Sequence, residues 1–113
     1  MNKQQVEDAV TRFSDLIERS KDHQAYSDYK EGINEGLELA KDTFDENAGK
    51  FVLSDSNYDR AVKIKSLQDR FNLLIDALTV RKKPKYSQDN IDGINRGLER
   101  SKELFREFIE EFL

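Results

Sequence analysis

GINEGLELAKDTF at residues 32–44 returns as GINRGLERSKELF at residues 93–105, identical at eight of 13 positions. A second pair precedes it in the same order: RFSDLIE at residues 12–18 and RFNLLID at residues 70–76, with Tyr26-Ser27 and Tyr86-Ser87 between the matched segments. One unit of roughly 60 residues is therefore written twice. Phe13 to Gly32 spans 19 positions and Phe71 to Gly93 spans 22, so the second copy carries three extra residues near RKKPK, where an insertion falls on a turn. Two units longer than the ~34 residues of a tetratricopeptide repeat are too few to stack as a solenoid, so the repeat reads as one helical hairpin used twice.

Spacing of the apolar residues supplies the helices. Val6, Val10, Phe13 and Ile17 keep a three-and-four rhythm, with Asn2 as a cap, and predict a helix over about residues 3–24. Ser27 caps a second, with Ile33, Leu37, Ala40 and Phe44 inside, running to about residue 46. Asn47 and Gly49 then read as breakers, making ENAGKFVLSDSN (46–57) the connector, with Phe51, Val52 and Leu53 folded over an end of the core. Ser56 with Asp59 resembles a capping box for a third helix bearing Ile64, Leu67, Phe71, Leu74 and Leu78. Pro84 ends it near Lys82, and Ser87 opens a fourth that runs almost to the C-terminus. The expectation is one all-α domain over residues 1–113: an antiparallel four-helix bundle of two duplicated hairpins with pseudo-two-fold symmetry. The hairpins fall at about 3–46 and 57–113, with the connector at about 47–56.

Four of the five glycines lie in the repeat, as Gly32 and Gly36 and again as Gly93 and Gly97. A mid-helix glycine costs about 1 kcal/mol relative to alanine, so four kept at matching sites need a repayment near 4 kcal/mol. Ala40 and Ser101 continue the row of small residues, and close helix packing is the expected return.

Asn34, Glu38 and Lys41 are matched by Asn95, Glu99 and Lys102. On a helix each trio lines one edge beside the apolar stripe. Asparagine is a poor helix former, and most other outward positions have drifted between copies, so these six are candidates for binding a protein partner. At the C-terminus, LFREFIEEFL carries more apolar residues than one core-facing stripe requires. Either that end is enclosed by the other helices, or Phe108, Ile109 and Phe112 form a patch for a homodimer.

Composition narrows the function by exclusion. There is no cysteine, hence no disulfide and no cysteine-ligated metal, and no apolar run nears the ~20 residues of a membrane span. The N-terminus has no apolar signal region, so a reducing cytoplasmic setting is expected. Net charge is −4, divided as 7 basic and 12 acidic residues over 1–54 and 12 basic and 11 acidic over 55–113. That balance disfavours nucleic acid, which asks for a basic face. Arg81, Lys82, Lys83 and Lys85 are the single basic run and read as a solvated turn at a helix C-terminus.

His23 is the only histidine, so the paired Glu-x-x-His motifs of di-iron bundles are missing. Glu35 and Glu38 form the Glu-x-x-Glu half of a helical magnesium site, but no Glu-x-x-Asp supplies the other half. Arg19 precedes His23 too closely for the arginine–histidine spacing of helical ribonucleases. The row Glu31, Glu35, Glu38, Asp42 and Glu46 reads as the wet face of a helix. No catalytic, cofactor-binding or metal residue is therefore assigned. The expected function is a small protein-binding module of adaptor, inhibitor or immunity type. The alternative is a nucleotide or phosphate-ligand enzyme or regulator using Glu35, Glu38, Lys41 and Lys102.

Overall fold

The structure, a computed structural model, describes residues 2–24, 26–52, 59–82 and 85–113. Four helices and, among the described residues, no strand make up the chain: α1 (Asn2–Ser20), α2 (Asp28–Val52), α3 (Arg60–Asp76) and α4 (Gln88–Phe112). Their packing is that of a helix bundle. Asp22 lies against Asn34, and Phe13 against Phe44, so α1 runs antiparallel to α2. Val80 against Asn95, and Arg60 against the Glu110 carbonyl, set α3 antiparallel to α4 in the same way.

The most extensive contact joins α2 to α4, which run parallel. Glycine is what permits it. A methyl placed on Gly32 would collide with the Asn90 carbonyl, and one on Gly93 with the Tyr29 carbonyl. One turn on, Gly36 faces the Ile94 carbonyl and Gly97 the Ile33 carbonyl, again with no room for a Cβ. Each carbonyl stands where a glycine Cα–H points, the arrangement of weak C–H···O contacts worth about 0.5–1 kcal/mol each. The cost of four helical glycines is thereby offset by backbone-to-backbone packing.

Beyond the glycines the seam fills with progressively larger groups. Ala40 and Ser101 are fully buried, and the Ser101 hydroxyl donates to the Leu98 carbonyl at 2.6 Å, so burial strands no polar group there. Next come Phe44 and Phe105, joined by Phe13, Phe51, Phe71 and Phe108 in one fully buried aromatic cluster. Phe71 and Phe105 stack with centroids 4.2 Å apart, and Phe13 meets Phe71 edge-on at 5.7 Å. Each buried phenylalanine is worth about 1.5–3 kcal/mol, so this cluster is the main apolar contribution. Through these rings α1 and α3 meet, although their backbones do not approach one another among the described residues.

Helix boundaries depart from the sequence expectation in three places. Residues 46–52, expected as connector, continue α2 to Val52. Asn47 stays helical by donating to the Thr43 carbonyl at 2.8 Å, and Ala48 and Phe51 extend the buried stripe of Leu37, Ala40 and Phe44. Burial of Phe51, stacked on Phe44 at 5.6 Å, outweighs the cost of Gly49. Helix α1 stops at Ser20 instead of about residue 24, and α3 at Asp76 instead of near Lys82, because side chains of α2 and α4 capture the chain just beyond. Ser27 and Ser87 cap as expected, and Asp59 caps α3 by accepting from the Val62 N–H at 2.9 Å. Leu53, Ser56, Lys83 and Pro84, and the side chains of Asn2 and Val52, lie outside the described residues.

The glycines separate into two kinds, and substitution distinguishes them. Gly36→Ala or Gly97→Ala should lower stability by about 1–3 kcal/mol, because the clash is with backbone that cannot give way. Gly49, with nothing within 4 Å of its missing Cβ, should instead gain about 0.5–1 kcal/mol on change to alanine. Urea denaturation of the three variants measures both signs.

Candidate functional site

Five of the six repeated polar residues tie each hairpin together near its reversal, and the sixth, Lys41, pairs within α2. The Asn34 side-chain oxygen accepts from the Asp22 N–H at 2.9 Å, and its amide donates to the Asp22 carbonyl at 2.7 Å. Asn95 does the same to Val80, at 2.8 and 2.7 Å. Asp22 and Val80 each stand nine residues after the matched phenylalanines Phe13 and Phe71. Each asparagine thus acts as a one-residue strand partner and holds the chain extended where α1 and α3 have just ended. This accounts for an otherwise poor helix former at both sites.

Glu38 and Glu99 serve a lysine bridge between helices, with the lysine supplied from different sides. In the first half, Lys21, just past α1, pairs with Glu18 at 2.8 Å and with Glu38. In the second, Lys102 of α4 pairs with Glu99 at 2.8 Å and with Asp76 of α3. Lys41, the match of Lys102, turns to Asp45 at 3.5 Å and Glu38 at 4.0 Å. Burial pulls the Lys21 pKa down, but its hydrogen bonds to Glu18 and Glu38, with their negative charge, outweigh it and the net shift is upward. Lys102 is raised likewise, against its burial, by Asp76 and Glu99. The Lys21 hydrogen bond holds Glu18 below its ordinary 4.5. Asp45 is pushed up by burial against the pull of Lys41, and its Oδ1 has no partner.

These clamps fix two short loops ahead of α2 and α4, and the close glycine crossing brings the loops together. The Ser27 hydroxyl accepts from the Lys30 N–H at 3.2 Å and Ser87 from the Asn90 N–H at 3.1 Å. Ser87 also donates to the Asp28 carboxylate at 2.8 Å, and the Asn90 amide to the Asp28 carbonyl at 2.9 Å. Two parallel helix N-termini are thereby tied side by side, and Asp28, Glu31 and Asp89 in the first turns oppose their like dipole ends. Tyr26, Tyr29 and Tyr86 stand out at this end, 87%, 41% and 44% exposed, beside exposed Arg81, Lys82 and Lys85. A cleft of about 270 Å³ runs between Glu31 and Glu35 of α2 and Lys85, Tyr86 and Ser87.

The tyrosines were not among the residues singled out from sequence. Their position before each helix cap was legible, but their convergence depends on α2 and α4 running parallel. At the opposite end, the C-terminal stretch turns Leu104, Phe105, Phe108 and Ile109 into the core. Phe108 and Ile109, two of the three residues read as a dimer patch, are buried in the core, and half-buried Phe112 packs on Phe108 at 5.1 Å with the Arg12 guanidinium 5.6 Å from its ring. No group of three or more His, Asp or Glu among the described residues is arranged to hold a metal, the row Glu31, Glu35, Glu38, Asp42 and Glu46 included. No helix among them is long and apolar enough to cross a membrane.

Asn34→Ala and Asn95→Ala should each cost about 1 kcal/mol and speed amide hydrogen exchange at Asp22 or Val80 selectively, read by NMR. Stability from Glu18 is complete above pH 4.5 and is lost as pH falls through its depressed pKa. That of Lys21 and Lys102 is complete below 10.5 and is lost as pH rises through their raised values. Lys21→Met should move the Glu18 midpoint upward in a carboxyl NMR titration. Comparison with known proteins returns no matching family model, no matching curated protein and no matching solved structure.

Proposed function

We propose that the chain is a pair of duplicated helical hairpins related by a pseudo-two-fold axis, working as a small cytoplasmic protein-binding module of adaptor or inhibitor type. Reciprocity of contacts supports the symmetry. Tyr29 stands to Gly93 as Asn90 stands to Gly32, and Ile33 to Gly97 as Ile94 to Gly36. The Asn34–Asp22 and Asn95–Val80 clamps follow the same relation.

One observation carries the binding role: Tyr26, Tyr29 and Tyr86 are exposed together at one end of the bundle, flanked by Arg81, Lys82 and Lys85. Tyrosine and arginine are over-represented where interfaces concentrate their energy, tyrosine because it brings large area with little rotamer entropy and arginine because its planar guanidinium stacks and donates several hydrogen bonds at once. Asn34, Glu38, Asn95, Glu99 and Lys102 contribute by positioning the loops that bear two of these rings, while Lys41 pairs only within α2. Freedom from cysteine suits a reducing compartment.

A phosphate-ligand reading has less behind it, since Lys41 is already paired with Asp45 and Glu38, and Lys102 with Asp76 and Glu99. A thermal-shift series with nucleotides and magnesium should leave the melting temperature unmoved, where saturating ligand would add about 2.7 kcal/mol at 100 times its dissociation constant.

The binding role is tested by affinity capture with wild-type chain and a Tyr26→Ala/Tyr29→Ala/Tyr86→Ala variant, helicity being checked by circular dichroism. A stoichiometric protein held by the wild type should be lost from the variant, with affinity falling at least about tenfold. Equal capture by both chains sinks the proposal.

A further inference from the structure

The matched helices α1 and α3 have drifted apart on their outer faces. Where α1 has Gln4, Asp8, Asp15 and Arg19, α3 has Val62, Ser66 and Leu73 and its C-cap is Ala77. Leu73 is 71% exposed and Val62 47%, on a helix whose inward stripe of Leu67, Phe71 and Ile75 is already buried. The outer face of α3 is therefore a second surface, away from the tyrosine end and carried by a separate observation.

That face holds both a knob and a socket. A hollow of about 490 Å³ lies on α3 itself, lined by Ala61, Val62, Lys65, Ser66 and Asp69. Val62, Lys65, Ser66 and Asp69 stand at i, i+3, i+4 and i+7, the four corners of a hole in knobs-into-holes packing. Small Ser66 leaves the hollow open for a side chain from outside. Leu73, two turns further on, is a knob of the size such a hole accepts.

We propose that two copies of this chain associate through antiparallel α3 helices, Leu73 of each copy entering the Val62–Lys65–Ser66–Asp69 hole of the other. Knob and hole on one helix make the contact isologous, so one two-fold operation satisfies both. Seating Leu73 over the centre of the hole places the dyad close to Asp69 and Arg70. There each Asp69 faces Arg70 of the other copy, twice over. The same register sets Ala77 against Val62 and Asp76 near Lys63 and Lys65, so charge and apolar matching agree on one alignment. Asp69 now holds Lys65 at 3.0 Å, but both side chains are more than half exposed, and water-screened pairs of this kind re-partner at little cost. A contact of one short helix on another belongs to the small, weak class of interfaces, which sets association in the micromolar range or above.

Sedimentation equilibrium from about 10 μM to about 1 mM tests this. The wild-type mass should rise from 13.2 kDa toward twice that value. Leu73→Asp, which installs the residue that α1 carries at the matched position, should keep its circular dichroism and stay monomeric. Asp69→Arg and Arg70→Asp should each weaken association at least about tenfold, and the double exchange should restore it, since facing pairs are opposite in sign again. A wild type monomeric throughout the range overturns the proposal, as does a dimer indifferent to Leu73→Asp. Dimerisation abolished by the tyrosine variant but not by Leu73→Asp would assign self-association to the other end and overturn it too.

Discussion

Four carbonyl groups, of Tyr29, Ile33, Asn90 and Ile94, press on the Cα atoms of Gly93, Gly97, Gly32 and Gly36, and the rest of the molecule is arranged around that contact. It brings α2 and α4 together backbone to backbone at the four glycines. Because the two helices run parallel, their capped N-termini come side by side, and α1 and α3 are left to pack against the central pair. Size then increases along the seam, from glycine through Ala40 and Ser101 to Phe44 and Phe105, so the tightest contact and the largest apolar cluster occupy different stretches of one interface.

The polar residues follow from the same geometry. A hairpin whose second helix is held against another at its very start has little freedom in the loop before it. Asn34 and Asn95 remove what remains by engaging both backbone groups of a single residue. The lysine bridges do comparable work more loosely, and their lysine can come from the loop side, as Lys21, or from the far helix, as Lys102. Geometry is kept where the donor has moved, which is how a hydrogen bond of defined direction differs from a screened ion pair.

Much of this was legible in the residues. Period and caps located four helices, and matched glycines announced a close approach. Asn47 and Gly49 read as breakers on local propensity alone, and the burial of Phe51 that overrides them is a tertiary gain that no window of a few residues contains. The ends of α1 and α3 were placed too late for a related reason: the groups that stop them belong to helices 12 and 15 residues further along. Recurrence flagged Asn34 and Asn95 as special without revealing whether they faced a partner or their own backbone. Leu73 carried a readable signal in its mismatch with Asp15, and the repeat that discloses the fold also discloses where the halves differ.

Neither hairpin covers its own glycine row, since the carbonyls that meet Gly32 and Gly36 belong to α4 and those that meet Gly93 and Gly97 to α2. Each half is thus the binding partner of the other, and the two are covalently joined. Short tethers hold their ends at effective concentrations in the millimolar range, so a contact too weak to join separate hairpins at cellular concentration is saturated within one chain. Cutting between α2 and α3 would leave the four carbonyl–glycine contacts available, yet it would turn a permanent contact into one governed by concentration.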